Sequence, residues 1–72
     1  MLKLNERIKE LREKNNKTQK QLADFLGIQV VSFQRFEYGM RCPSLDNLIK
    51  IADYFDVSLD YLVGRSDNPK RI

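Results

Sequence analysis

Histidine is absent from the 72 residues, and the single cysteine, Cys42, has no second thiol to pair with. Much of the chemistry by which small proteins act on substrates is thereby missing. There is no imidazole base, an internal disulfide is impossible, and a lone thiolate cannot build a tetrahedral metal site. Beside Pro43, Cys42 reads as a small filler side chain. Asp46, Asp53, Asp56 and Asp60 are spread along the second half as a solvated acidic face, not as a carboxylate pair in one pocket, and no glycine-rich phosphate cradle occurs. The expectation is a protein that is not an enzyme and holds no metal or cofactor. What remains is amide and cationic chemistry. Nine basic groups stand against five acidic ones over residues 1–42, and four against five in the remainder, within a net charge of +3. A basic half joined to a slightly acidic half suits a polyanionic partner, with the acidic side turned away.

The elements that must position those groups follow from apolar spacing. Leu4, Ile8 and Leu11 recur at i, i+4, i+7 and predict a first helix from about Asn5 to Lys14, supported by a Glu10–Lys14 pair and stopped at Asn15-Asn16-Lys17. Thr18-Gln19-Lys20-Gln21 has the form of a capping box and opens a second helix, striped by Leu22, Ala23 and Leu26. Gly27 suits the left-handed residue that ends it. Gln29 follows almost at once and starts a third helix with Phe33 and Phe36 inward, so the second and third helices must cross steeply. Ser44 caps a fourth helix with Leu45, Leu48, Ile49, Ala52 and Phe55 at helical spacing. Ser58 caps a fifth with Leu59 and Leu62 inward, ended by Gly64.

These readings describe one small all-α domain over residues 1–64, followed by a polar tail, 65–72, expected to be mobile unless a second subunit holds it. No apolar run approaches the ~20 residues that span a bilayer. The amino end turns charged immediately and lacks the apolar stretch of a signal peptide, so a cytoplasmic location is expected.

Six stretches, in order, then carry a family resemblance over roughly Arg7 to Gly64. They are Arg7-Ile8-Lys9-Glu10-Leu11-Arg12, Thr18-Gln19-Lys20-Gln21-Leu22-Ala23, Leu26-Gly27-Ile28, Phe36-Glu37-Tyr38-Gly39, Pro43-Ser44-Leu45 and Val57-Ser58-Leu59-Asp60-Tyr61-Leu62. Together they resemble the Cro/cI-type, or XRE-type, helix-turn-helix family of phage repressors and bacterial regulators. The resemblance implies a five-helix, lambda-repressor-like fold with helix 2 across the DNA backbone and helix 3 in the major groove.

It also implies roles by position. Thr18 and Gln19 would lie at the backbone, Gln19 on a phosphate and within reach of a base. Gln29 would stand near the backbone, with Val30, Val31, Gln34 and Arg35 facing the groove, Arg35 suited to guanine and Gln34 to adenine. Tyr38 and Arg41 would add phosphate contacts. Arg12 and Glu37 match a salt bridge between helix 1 and the end of helix 3. Three positions depart from the pattern. Val30 and Val31 replace polar readers and leave only apolar contact, for which the thymine methyl is the partner. Met40 replaces a frequent lysine or arginine.

The implied function is sequence-specific binding of a two-fold symmetric double-stranded operator as a homodimer, regulating transcription, most simply by repression. Tyr61, Val63 and Ile72, which have no evident place in the core, are the surface expected at the dimer contact. With no second domain for sensing a ligand, the chain reads as a minimal Cro-like regulator or the DNA-binding part of something longer. A protein-interaction module with an apolar third helix is the competing reading.

Overall fold

Three hydroxyls decide where helices begin. The computed structural model describes residues 3–71, and among them it contains five helices and no strand: α1 Leu4–Lys14, α2 Gln19–Leu26, α3 Val30–Glu37, α4 Leu45–Phe55 and α5 Leu59–Leu62. Thr18 Oγ1 accepts from the Gln21 N–H at 3.0 Å while Gln21 Oε1 accepts from the Thr18 N–H at 2.8 Å, so two otherwise free amides are satisfied reciprocally. Ser44 and Ser58 accept from the N–H groups of Asn47 and Tyr61 in the same manner. Helix ends are equally specific. Gly27 closes α2 with φ 71°, and Asp56 closes α4 with φ 55°. Asp is one of the few non-glycine residues that tolerates this left-handed conformation.

Ile8 and Leu11 from α1, Leu22, Ala23 and Leu26 from α2, Phe33 and Phe36 from α3, and Ile51 and Ala52 from α4 form one core, closed by Val57, Tyr61 and Leu62. Phe33 is wholly buried and meets Phe36 edge to face with ring centroids 6.2 Å apart. α3 rests on both α1 and α2, while α5 packs on α1 and α4. One side of the third helix is therefore committed to the core and the other is left outside.

The second half departs from its apolar spacing in several places. Leu45, Ile49 and Leu59 are exposed, whereas Ile51 and Tyr61 are buried. On α4 the inward stripe runs through Leu48, Ile51, Ala52 and Phe55, at i, i+3, i+4 and i+7, which leaves Leu45 and Ile49 to one side of it. Tyr61 is covered by the Arg7 guanidinium, 3.8 Å above its ring, and so is not available to a partner. Val63 is half-buried, and Ile72 lies outside the described residues. Glu10 turns back to Arg7 at 3.1 Å and not forward to Lys14.

The tail is also held. The Ser58 N–H donates to the Pro69 carbonyl at 3.0 Å, and Arg71 donates to the Ala52 carbonyl at 3.3 Å while pairing with Asp53. Residues 69–71 thus lie against α4 and α5, where carboxylates of the acidic face give the arginine its partners.

Phe33→Ala should cost about 3–5 kcal/mol, a large share of the roughly 5–15 kcal/mol available to a small domain. Urea unfolding of the variant beside the unaltered chain checks this, and a loss below about 1 kcal/mol would contradict the core assignment.

Candidate nucleic-acid interface

The site is built outward from a carboxylate in the core. Glu37 is the last residue of α3, and its side chain is 1% exposed. An unpaired charge there would be severely destabilising, and Arg12 of α1 supplies the partner as a two-pronged guanidinium. Nε donates to Oε2 at 2.6 Å and Nη2 donates to Oε1 at 3.1 Å, the fork geometry in which arginine binds carboxylates most strongly. Arg12 Nη1 also donates to the Lys17 carbonyl at 3.0 Å, so the same group holds the loop between α1 and α2. Asn5 Nδ2 reaches the Glu37 backbone carbonyl at 3.5 Å. The carboxyl end of α3 is thus fastened to α1 through both side chain and backbone.

Gln19, the first residue of α2, extends this chain of contacts. Its Nε2 donates to Glu37 Oε1 at 3.0 Å, and its Oε1 accepts from Gln34 Nε2 at 3.2 Å. Gln19 and Gln34 are both half-buried, at the seam between α2 and α3. Arg12, Glu37, Gln19 and Gln34 therefore form one continuous polar network across three helices.

Beyond the seam, the outer face of α3 is open. Val30 and Val31 are 41% and 42% exposed, so neither is turned inward to close the core. Arg35 is exposed and has no ion-pair partner among the described residues. Gln29 stands at the amino end of α3 without a side-chain capping bond, and Thr18, exposed, is occupied in capping α2. Tyr38 and Arg41 are exposed in the segment that leaves α3, where Gly39 adopts φ 73° and the N–H groups of Met40 and Arg41 both return to the Arg35 carbonyl. Met40 is exposed beside them and brings no charge. Thr18, Gln19, Gln29, Val30, Val31, Gln34, Arg35, Tyr38 and Arg41 thus all belong to α2, α3 or their flanking turns.

No local pattern in the sequence signals the Gln19–Gln34 and Gln19–Glu37 bonds or the Asn5 contact with the Glu37 carbonyl. The amides of Gln19 and Gln34 are 15 residues apart and meet only because α2 and α3 cross. Among the described residues no group of carboxylates, cysteines or histidines could hold a metal ion, and no helix is long and apolar enough to cross a membrane.

A family model described as Helix-turn-helix matches residues 8–62. The chain belongs to this family, of the Cro/cI or XRE type. It is a family of DNA-binding transcriptional regulators and not of enzymes. The transcriptional repressor RstR of the cryptic phage CTXphi in Vibrio cholerae is 44% identical over 64 residues, covering 89% of this chain and 57% of that protein. The HTH-type transcriptional regulator ImmR of Bacillus subtilis is 36% identical over 70 residues, covering 97% of this chain and 55% of that protein. This chain therefore spans little more than half the length of these relatives. The P22 c2 repressor, solved in complex with a synthetic operator, superposes with a TM-score of 0.82 at 26% identity over 92% of this chain and 100% of that one. A transcriptional regulator from Listeria innocua gives 0.84 at 29% identity, over 86% of this chain and 58% of that one. The five-helix, repressor-like fold is shared with both.

The Arg12 guanidinium is raised above the ordinary arginine range, chiefly by its hydrogen bond to Glu37 and further by that carboxylate's charge, against the opposing effect of burial. A raised folded-state value means that the arginine's contribution is complete below the ordinary range and lost only as pH climbs through the folded value. Proton loss from Arg12 thus does not weaken the pair near neutral pH. Arg12→Ala should cost about 3–5 kcal/mol by stranding a buried carboxylate, while replacing both partners, as in R12M/E37L, should cost less than R12A alone. Urea unfolding distinguishes the two, and an R12A loss under about 1 kcal/mol would remove the pair from the architecture.

Proposed function

We propose that this chain binds double-stranded DNA by inserting α3 into the major groove, as two copies on a two-fold symmetric operator in the cytoplasm, and so regulates transcription, most simply by repression. One observation carries the reading. α3 exposes Val30, Val31 and Arg35 on its outer face while its inner face and carboxyl end are anchored to α1 and α2. A rigidly held helix with an unoccupied outer face is what groove reading requires. Support comes also from the basic excess of residues 1–42 and from the P22 c2 repressor, a relative in fold that was solved with a synthetic operator.

Within this reading Arg35 pairs with guanine N7 and O6, and the free edge of Gln34 pairs with adenine. Thr18, Gln19, Gln29, Tyr38 and Arg41 would meet the phosphate backbone and set the register, with Gln19 also within reach of a base. Two domains on one face of the duplex would place their recognition helices about 34 Å apart. Because Tyr61 is buried, the contact between copies must be sought elsewhere. Leu45 and Ile49, exposed at i, i+4 on α4, offer apolar surface beside Asp46 and Lys50, and those opposite charges would face each other across an antiparallel pair of α4 helices.

Random duplexes selected by the protein and sequenced would test the proposal directly. A half-site recurring with two-fold symmetry is expected, and enrichment of no sequence would contradict it. On the selected operator, affinity should fall with salt at a log–log slope of about −0.9 per phosphate contact. Arg35→Ala should cost about 1–3 kcal/mol and relax preference at one base pair. Uniform weakening on every duplex would reassign Arg35 to phosphate.

Val30 and Val31 make a sharper claim. Each presents only methyl groups, and the major groove shows one apolar feature, the thymine C5-methyl. Covering one methyl is worth roughly 0.8 kcal/mol, or about fourfold in affinity. Replacing the contacted thymine by uracil, which removes the methyl and keeps every hydrogen-bonding group, should weaken binding by that factor. Unchanged affinity with uracil throughout the half-site would exclude valine–thymine contact.

A further inference from the structure

We infer that Asn5 is a positioning residue: from the first turn of α1 it caps the carboxyl end of α3 and seats the Gly39 turn, holding Tyr38 and Arg41 toward the phosphate backbone. The inference rests on the major-groove reading above and concerns how its phosphate contacts are kept in place.

A helix ends with carbonyls that no following turn of helix can satisfy. At the end of α3 most of them are taken up locally. The Gln34 carbonyl accepts from the Tyr38 N–H at 2.9 Å, the Phe36 carbonyl from the Gly39 N–H at 3.4 Å, and the Arg35 carbonyl from the Met40 N–H at 3.0 Å. The last two bonds, with Gly39 at φ 73°, make the left-handed closure that glycine favours. Among the described residues no backbone N–H returns to the Glu37 carbonyl. Its partner is Asn5 Nδ2, 32 residues away in the chain, at 3.5 Å.

At that distance the bond alone is a light restraint, and packing supplies the rest. A Cβ built on Gly39 would stand 3.3 Å from Asn5 Nδ2 and 3.5 Å from its Cγ, so the carboxamide rests directly on the turn. Glycine is the most conformationally permissive residue, and a turn made through it would otherwise let the following segment swing. Here one side of the turn is closed by α1, the helix that Arg12 already fastens to Glu37. Tyr38 and Arg41, exposed on either side of Gly39, are thereby held to the same frame as Val31 and Arg35 on α3. Met40 beside them carries no charge, so Arg41 is the one cation of this turn and its reach depends on where the turn is held.

The test measures affinity of the full chain for the selected operator over a range of salt, and for a panel in which each base pair is changed in turn, well below the melting temperature of every variant. Asn5→Ala removes both the bond and the packing while placing a strong helix former in α1. It should weaken every duplex of the panel alike and reduce the magnitude of the salt slope by about 0.9, the share of one cation–phosphate contact. Y38F/R41A should lose the same part of the slope, and N5A/Y38F/R41A should lose no more of it, since Asn5 acts through those two groups. A folded N5A chain with an unchanged slope, or one that loses preference at a particular base pair, would overturn the inference and leave the major-groove reading standing. An unchanged slope for Y38F/R41A would remove the contacts that Asn5 positions and overturn the inference as well. An unaltered protein with neither salt dependence nor preference anywhere in the panel would instead overturn the groove reading and this inference with it.

Discussion

A carboxylate withdrawn from water at the end of α3 constrains where that helix can lie. Glu37 is tolerated only because Arg12 approaches it with two N–H groups, and Arg12 can do so only when α1 stands in its observed place. The pair is a weak source of net stability, since two desolvated charges repay little more than they cost, but breaking one half of it is expensive. Its effect is therefore directional. It excludes arrangements in which α3 slides or rotates against α1, and the Asn5 bond to the Glu37 carbonyl and the Arg12 bond to the Lys17 carbonyl act in the same sense. Phe33 and Phe36 supply the non-directional part by filling the space beneath the helix.

The division of labour along α3 follows. Residues that face inward are aromatic or ionic and are fully partnered, and those that face outward are left with unused chemistry: methyl groups at Val30 and Val31, a guanidinium at Arg35, and the free edge of an amide at Gln34. Such a helix is fixed in place yet chemically open. Across the molecule, the carboxylates of α4 and α5 are partly taken up by arginines of the tail, with Arg71 against Asp53 and Asp56 and Arg65 against Asp60. Charge is thus more evenly neutralised on that side than around α3.

Much of this is legible in the amino-acid sequence, for identifiable reasons. Helix starts at Thr18, Ser44 and Ser58 and the end at Gly27 depend on local bonding, which the residue types announce. The core of α1 to α3 followed from spacing, because each of those helices buries a single narrow stripe. The second half was less legible. Leu45 and Ile49 share the hydropathy of core residues but sit beside the inward stripe, and Tyr61 required the Arg7 guanidinium above it, a contact between opposite ends of the chain that no local pattern encodes. The polar seam was opaque for a similar reason. Glutamines at 19 and 34 are unremarkable alone and acquire an order only when the crossing of α2 and α3 brings them together with Glu37.

Backbone chemical-shift mapping during titration with the selected operator duplex examines the central claim, that the outer face of α3 and the start of α2 form the DNA-binding surface. The largest perturbations should fall on Thr18, Gln19, residues 29–35, Tyr38 and Arg41, with the outer face of α1 and the tail little changed. Perturbations concentrated on α1 or on the Leu45–Ile49 edge of α4, with α3 silent, would contradict it.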